Sequence, residues 1–293
     1  MNYRFLVIGF WLLIACETSA TVYSRYDSLK VVNLLEEVRD MTSTDSPTPN
    51  AQRPTSFYTL HFARKLIGVK YENYVLEQTR SEQLIIDLRR LDCTTFVETV
   101  AALAISAKHK EYTFHAFCRY LQKLRYRDGR IEDFSSRLHY FTDWIRDNVG
   151  KGYVSWPQQP NPPFTEVKSP GYNIMTKLRK SYRQIATNDK LLNKIARCEE
   201  NLKGLTFRYI PKALLNGGKK DLACIGDGDI ICMVTSAECL DVAHLGIAVW
   251  HGDKLHMIDA SKIHGKVFEE VKTMYQYQRT KQAQIGIIVV KLK

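Results

Sequence analysis

Cys93, His244 and Asp259 are the residues of this chain whose types and order suit nucleophilic chemistry. A cysteine hydrolase needs a thiolate, a histidine that takes up and returns the proton, and a polar third residue that fixes the imidazole. Cys93 opens the run Cys93-Thr-Thr-Phe-Val-Glu-Thr-Val-Ala-Ala-Leu-Ala-Ile-Ser-Ala, apolar nearly all round and long enough for a buried helix, with Asp92 before it as an N-cap. The N-terminus of a helix, with its unpaired N–H groups and positive dipole end, favours a thiolate. His244 heads a β-branched run and Asp259 lies on the next, and His251-Gly252-Asp253 between them has the composition of a hairpin turn. In such a hairpin His244 and Asp259 lie roughly opposite each other. His256 is the rival on the same strand, but its odd offset of three from Asp259 points it to the other face. Singly these residues say little, since a cysteine at a helix start is commonly structural and a histidine in a strand commonly packed. Their order, with the cysteine on a helix and the other two on adjacent strands, is what points to a site.

The elements that must position these residues change character along the chain. Ser28 to Met41 carries apolar residues at helical spacing with Ser28 as a cap, residues 42 to 56 read as a Ser/Thr/Pro/Asn-rich loop, and Tyr58 to Ile67 reads as a helix stopped by Gly68. Further helices are expected at Tyr112–Leu124, Ser135–Asn148 and Asp189–Leu202. Five prolines between Trp156 and Gly171 (Pro157, Pro160, Pro162, Pro163, Pro170) demand a long loop, suited to lining a groove. From about Gly228 short β-branched runs take over: Asp229–Thr235, Val242–Trp250, Lys254–Asp259, Lys266–Glu269 and Ile285–Leu292. Helices followed by an antiparallel sheet predict an α+β fold.

At 293 residues, 45% hydrophobic and 25% charged, the composition is that of an ordinary globular protein, which excludes disorder for most of the chain. The run Phe5 to Ala15 is too short to span a bilayer but suits the h-region of a signal peptide, so residues 1–20 are expected to direct export. Leu13-Ile14-Ala15-Cys16 resembles a lipobox, which would tether the chain to a membrane through lipidated Cys16; Thr18-Ser19-Ala20 would instead serve ordinary signal peptidase. The formal net charge of +11 favours acidic partners, and export argues against nucleic acid. The basic residues form only short pairs, Arg89-Arg90, Lys219-Lys220 and Arg125/Arg127, read as solvated surface. Seven cysteines with irregular spacings and no CxxC speak against a zinc cage or redox motif; apart from Cys93 and Cys16, most are expected to be buried thiols.

Leu91-Asp92-Cys93-Thr94-Thr95-Phe96, Gly228-Asp229-Ile230-Ile231, His244-Leu245-Gly246-Ile247 and Met257-Ile258-Asp259-Ala260-Ser261 together resemble the NlpC-type papain-like superfamily of bacterial cell-wall amidases and peptidases. Arg125-Tyr126-Arg127-Asp128-Gly129, Ser136-Arg137-Leu138-His139-Tyr140, Tyr209-Ile210-Pro211-Lys212 and Leu240-Asp241-Val242 are similar to one branch of it, N-acetylmuramoyl-L-alanine amidases once catalogued as a domain of unknown function. The resemblance covers roughly residues 57 to 293, after residues 21–56 as an N-terminal helix and loop. It implies a papain-like core, a central nucleophile helix packed on the sheet and elaborated by extra helices, acting without metal or cofactor on peptidoglycan or muropeptides in the periplasm. It implies catalysis by Cys93, His244 and Asp259, and substrate contacts at Tyr71, Ser136, Arg137, His139, Tyr140 and Asp241, with Arg137 suited to grip a carboxylate. Asp259 departs from the branch, which carries His there, yet Asp orients imidazole in other triads. Two alternatives stand beside the amidase: a γ-D-glutamyl-diamino acid endopeptidase on the same residues, and a non-catalytic wall-binding lipoprotein.

Overall fold

The apolar run that opens at Cys93 is a helix, and every residue from Thr95 to Ala107 of it is buried. A helix apolar on all sides needs neighbours on all sides, and the rest of the chain supplies them. The computed structural model describes residues 21–44, 53–157 and 162–293; the apolar run Phe5–Ala15, Cys16 and part of the proline-rich loop lie outside the described residues. The helices are α1 (Arg25–Thr44), α2 (Thr55–Lys65), α3 (Cys93–Lys108), α4 (Phe114–Arg125), α5 (Phe141–Gly150), the short α6 (Ile174–Lys177), α7 (Asp189–Leu202) and α8 (Met274–Arg279). The strands are β1 (Thr21–Val22), β2 (Lys70–Tyr71), β3 (Leu84–Ile85), β4 (Arg90–Leu91), β5 (Val154–Ser155), β6 (Glu166–Lys168), β7 (Phe207–Pro211), β8 (Ile230–Thr235), β9 (Val242–His251), β10 (Lys254–Ser261), β11 (Lys266–Glu269) and β12 (Gln284–Leu292).

The main sheet runs β4-β2-β11-β10-β9-β8-β12-β7-β6, with β5 also paired to β12. Its long strands are antiparallel, as expected, but β2 pairs with β4 in parallel at one edge, so the sheet is mixed. That edge matters because Tyr71 of β2 lies against Leu91 of β4, two residues before Cys93. Both faces of the sheet are covered. Ile258 and Ala260 of β10 face the core shared with α1 to α5, while Leu255 and Met257 face a second core closed by Met274 and Tyr277 of α8. Burial on two faces explains why these strands read as apolar runs rather than alternations. Each large side chain fully buried in this way contributes roughly 1.5–3 kcal/mol.

Several expectations need correction. The first helix starts at Arg25 rather than Ser28, capped by Ser24, whose hydroxyl accepts from the Asp27 N–H. The stretch Ser135–Asn148 is not one helix: a 3-10 turn, Phe134–Ser136, precedes extended backbone at Arg137 and Tyr140 before α5 begins. The physical reason is a competing cap, since Asp133 accepts from the N–H and hydroxyl of Ser135 and closes the turn locally. The proline-rich segment contributes the edge strand β6, where proline nearby is tolerated. Arg125 is no surface residue: its guanidinium is buried, donating to Glu98 at 2.6 Å and to the Ile85 carbonyl at 2.7 Å. Of the six described cysteines only Cys232 is fully buried, the others being partly buried thiols.

Candidate active site

Cys93 occupies the first position of α3. Asp92 caps that helix reciprocally: its carboxylate accepts from the Thr95 N–H at 2.8 Å, and the Thr95 hydroxyl accepts from the Asp92 N–H at 2.9 Å. This capping box fixes the entry of the chain and therefore the direction of the thiol. The N–H groups of Cys93 and Thr94 belong to the first turn, which has no intrahelical acceptor for them.

His244 comes from the sheet. Its Nε2–H donates to Asp259 Oδ2 at 2.6 Å, and the thiol of Cys93 lies within hydrogen-bonding reach of the same ring. With Nε2 engaged by Asp259, Nδ1 is the nitrogen left to face Cys93. The two strands do not set His244 directly across from Asp259. Their pairing ends at Ile258 with Ile247, so the register carried one residue further puts Asp259 beside Gly246 and His244 on the diagonal. Gly246 lets β10 approach β9 closely beside the pair: a Cβ there would meet the Ile258 carbonyl at 3.0 Å and the Met257 sulfur at 3.1 Å. A bulge between Met233 and Val234, opposite His244, further re-aims this end of β9.

Electrostatics follow from the geometry. Burial works against a charged imidazole, but the charge of Cys93, the hydrogen bonds to Asp259 and Cys93, and the charge of Asp259 together raise His244 to about 10. Its ring therefore carries both protons at neutral pH. Asp259 is itself wholly buried, and its Oδ1 has no partner among the described residues. His256 projects to the other face, where Nδ1–H donates to the Glu270 carbonyl at 3.0 Å and the ring stacks on His251.

Two tyrosines flank the pair. Tyr71, half-buried, donates its hydroxyl to Asn73 at 2.7 Å; burial, then the charges of Cys93 and Asp92, push it up to about 12. Tyr277 was not foreseen. It comes from α8, is buried, and has its acidity suppressed by burial, then by Asp259, Glu270 and Cys93; Lys281 lies 3.2 Å over its ring. The sequence did carry a signal for α8, since Thr273 and Gln276 form a capping box at its start.

The other expected contact residues are held by internal partners. Arg137 Nε and Nη2 donate to Glu82 at 2.9 and 2.8 Å, and Nη2 also reaches the Leu76 carbonyl at 3.2 Å. The carboxylate it grips is thus Glu82, which also accepts from the Tyr126 hydroxyl. Ser136 donates its hydroxyl to the Asp133 carbonyl at 2.6 Å. His139 donates Nε2–H to the Phe134 carbonyl at 2.7 Å; burial first, then the charge of Arg137, lower it to about 3. Tyr140 donates to Glu199 at 2.7 Å and accepts from the Ile174 N–H. Asp241 accepts from the N–H and hydroxyl of Thr142, each at 2.7 Å, pinning α5 to the start of β9. Among the described residues no group of three His, Cys, Asp or Glu is arranged to hold a metal ion.

A solved structure described as an N-acetylmuramoyl-L-alanine amidase from Bacteroides uniformis is similar at 33% identity and TM-score 0.76, covering 82% of this chain and 99% of that one. A Bacteroides fragilis structure described as a xylanase candidate is similar at 31% identity and TM-score 0.74, covering 80% of this chain and 100% of that one. A Legionella pneumophila protein, at 19% identity and TM-score 0.63 over 90% of this chain and 96% of that one, shares the fold. No curated protein sequence matches the chain. The model of the AmiA-like family matches residues 61–287, a stretch that contains Cys93, His244 and Asp259. The chain belongs to the AmiA-like family, described as N-acetylmuramoyl-L-alanine amidase-like.

Proposed function

We propose that this chain is an exported, cysteine-dependent amidase with a papain-like core of NlpC type, hydrolysing the amide between the lactyl group of N-acetylmuramic acid and L-alanine in muropeptides. The observation that carries the reading is the connected series Cys93, His244, Asp259 at the open end of a buried helix. The thiolate attacks the lactyl carbonyl carbon, and the oxyanion is held by the Cys93 N–H with Tyr71 beside it. Collapse breaks the C–N bond as His244 gives its proton to the leaving amine of L-alanine. The neutral imidazole then takes a proton from water, the hydroxide adds to the thioester, and the thiolate leaves to regenerate the pair.

A glycosidase would need two carboxylates flanking the scissile bond. Here Asp92 caps α3 and Asp259 bonds His244, so neither suits that role. Mass spectrometry of a defined muropeptide digest tests the reading, with Cys93→Ala as control. Release of an N-acetylmuramic acid product with a free lactyl carboxylate and an intact peptide beginning with L-alanine is expected; cleavage after γ-D-glutamate would assign the endopeptidase bond instead. Export places the enzyme in the periplasm, and the mature chain should begin at lipidated Cys16 or near Thr21.

A further inference from the structure

More than half of the formal net charge of +11 sits in one folded segment. Residues 177–197 carry seven cations, Lys177, Arg179, Lys180, Arg183, Lys190, Lys194 and Arg197, against a single acid, Asp189. Folding draws these charges together. α6 and α7 share a core with Met175, Ile185, Ile195 and Leu202, and the Met175 N–H donates to Glu199 of α7 at 3.0 Å. Arg179 ties the connection between the two helices to the start of α7: its guanidinium donates to the Ile185 carbonyl at 3.1 Å and to Asp189 at 2.9 Å. That ion pair engages the only acid of the segment.

On α7 itself Lys190, Lys194 and Arg197 recur at i, i+4 and i+7, an exposed stripe about 10 Å long on the side away from the buried Ile195 and Leu202. Lys194 meets Asp133, but Lys177, Lys180, Arg183, Lys190 and Arg197 are exposed and have no ion-pair partner among the described residues. Exposed cations elsewhere are answered, Arg64 by Glu269 and Lys65 by Glu37. Among the unanswered ones stands an apolar side chain, Leu178, 47% exposed between Lys177 and Arg179. Like charges held together repel one another, and an external anionic surface relieves that repulsion. A polyanion in solution would match the cations and leave the leucine in water. A bilayer matches both, with headgroup charge for the cations and acyl chains for the leucine.

We infer that the connection from α6 to α7, with the outer stripe of α7, is a docking surface for an anionic phospholipid bilayer. Lys177, Lys180, Arg183, Lys190 and Arg197 lie over the headgroups, and Leu178 enters between them. The surface shares no residue with the candidate active site, and the inference holds whichever bond the enzyme cleaves.

Co-sedimentation of the full chain with vesicles tests it. Phosphatidylcholine vesicles containing about one-third phosphatidylglycerol should bind at least about a hundredfold more tightly than phosphatidylcholine alone, and high salt should remove the difference. Any attachment through the apolar run Phe5–Ala15 is common to both lipids and to every variant. The variant Lys177→Ala/Lys180→Ala/Arg183→Ala should lower affinity for the anionic vesicles at least about thirtyfold. Lys254→Ala/Lys262→Ala/Lys266→Ala removes the same charge from β10, β11 and the turn between them and should change it by less than about threefold. Leu178→Ser should weaken it about threefold. All seven side chains are exposed, so the substitutions do not threaten the fold. Equal affinity for the two kinds of vesicle, or an equal loss in the two triple variants, would overturn the inference. So would full competition by soluble polygalacturonate together with unimpaired vesicle binding by Leu178→Ser, which would assign the face to an anionic polymer.

Discussion

His244 and His139 are both enclosed by protein, and their surroundings drive them in opposite directions. Burial disfavours charge on both rings; beside Cys93 and Asp259 it is outweighed and His244 is raised to about 10, whereas at His139 burial, reinforced by the charges of Arg137 and Arg127, lowers the ring to about 3. Around His244 the polar groups keep unmatched capacity: Asp259 Oδ1 has no partner among the described residues, and the first N–H groups of α3 have no intrahelical acceptor. Around His139 the hydrogen bonds are internal, with Ser136, Arg137, Tyr140 and Asp241 each held by a named protein partner. One region keeps polar capacity open and the other closes it within the protein. Polar residues that recur together in a motif can therefore be framework, and the test is whether their hydrogen bonds close within the protein.

The sharpest way to break the comparison is to remove the thiol proposed as nucleophile. Cys93→Ala should lower turnover by about 10⁴-fold or more with Tm unchanged, because one thiol at a helix start contributes little packing. Initial rates and a thermal melt on the same preparation check both halves. Full activity in this variant would remove the distinction between the two regions.

Asp259→Ala should cost about 100-fold, since the nucleophile and N–H donors remain while orientation and charge support are lost. Asp259→His should keep part of the activity. The pH profile is more discriminating than the rate. In the wild type the alkaline limb should lie near pH 10, where His244 loses its proton, and Asp259→Ala should move it to lower pH. A raised value also has a stability consequence: the contribution of the charged ring is complete below about pH 6.5 and is lost as pH climbs to about 10. His256→Ala, on the opposite face, should leave the rate within about twofold. A dead His256→Ala beside an unimpaired Asp259→Ala would place the orienting residue on the wrong face of β10.

Arg137→Ala should affect the other region, destabilising the fold by about 3 kcal/mol because it strands the buried carboxylate of Glu82. Urea denaturation measures it; a loss confined to KM, with unchanged stability, would return Arg137 to the substrate. The smallest effect is expected at His139. Its neutral ring contributes stability above about pH 6.5 that is lost as pH falls toward 3, so His139→Asn should flatten the acid limb of a stability profile in that window. An identical profile in that variant would mean that His139 is not held neutral by its surroundings.

Much of this could be read from local patterns. The nucleophile helix, its Asp92 cap, the hairpin through Gly252 and the face shared by His244 and Asp259 all depend on residues close in sequence, where periodicity and capping chemistry act. Local patterns did not reveal which polar side chains were already engaged. Arg137 meets Glu82 across 55 positions, Asp241 meets Thr142 across 99, and Arg125 meets Glu98 across 27. Whether an arginine grips a ligand or its own chain depends on whether a carboxylate from a distant segment has already been packed against it, and no local pattern encodes that. The same holds for Tyr277, brought to the site only when α8 closes over the second face of the sheet. The sequence by itself determined the helix, the strands and the order of Cys93, His244 and Asp259, because these are properties of neighbours along the chain. Tertiary structure alone decided which charges were neutralised and which were left open, because burial and pairing are set by segments that meet only on folding.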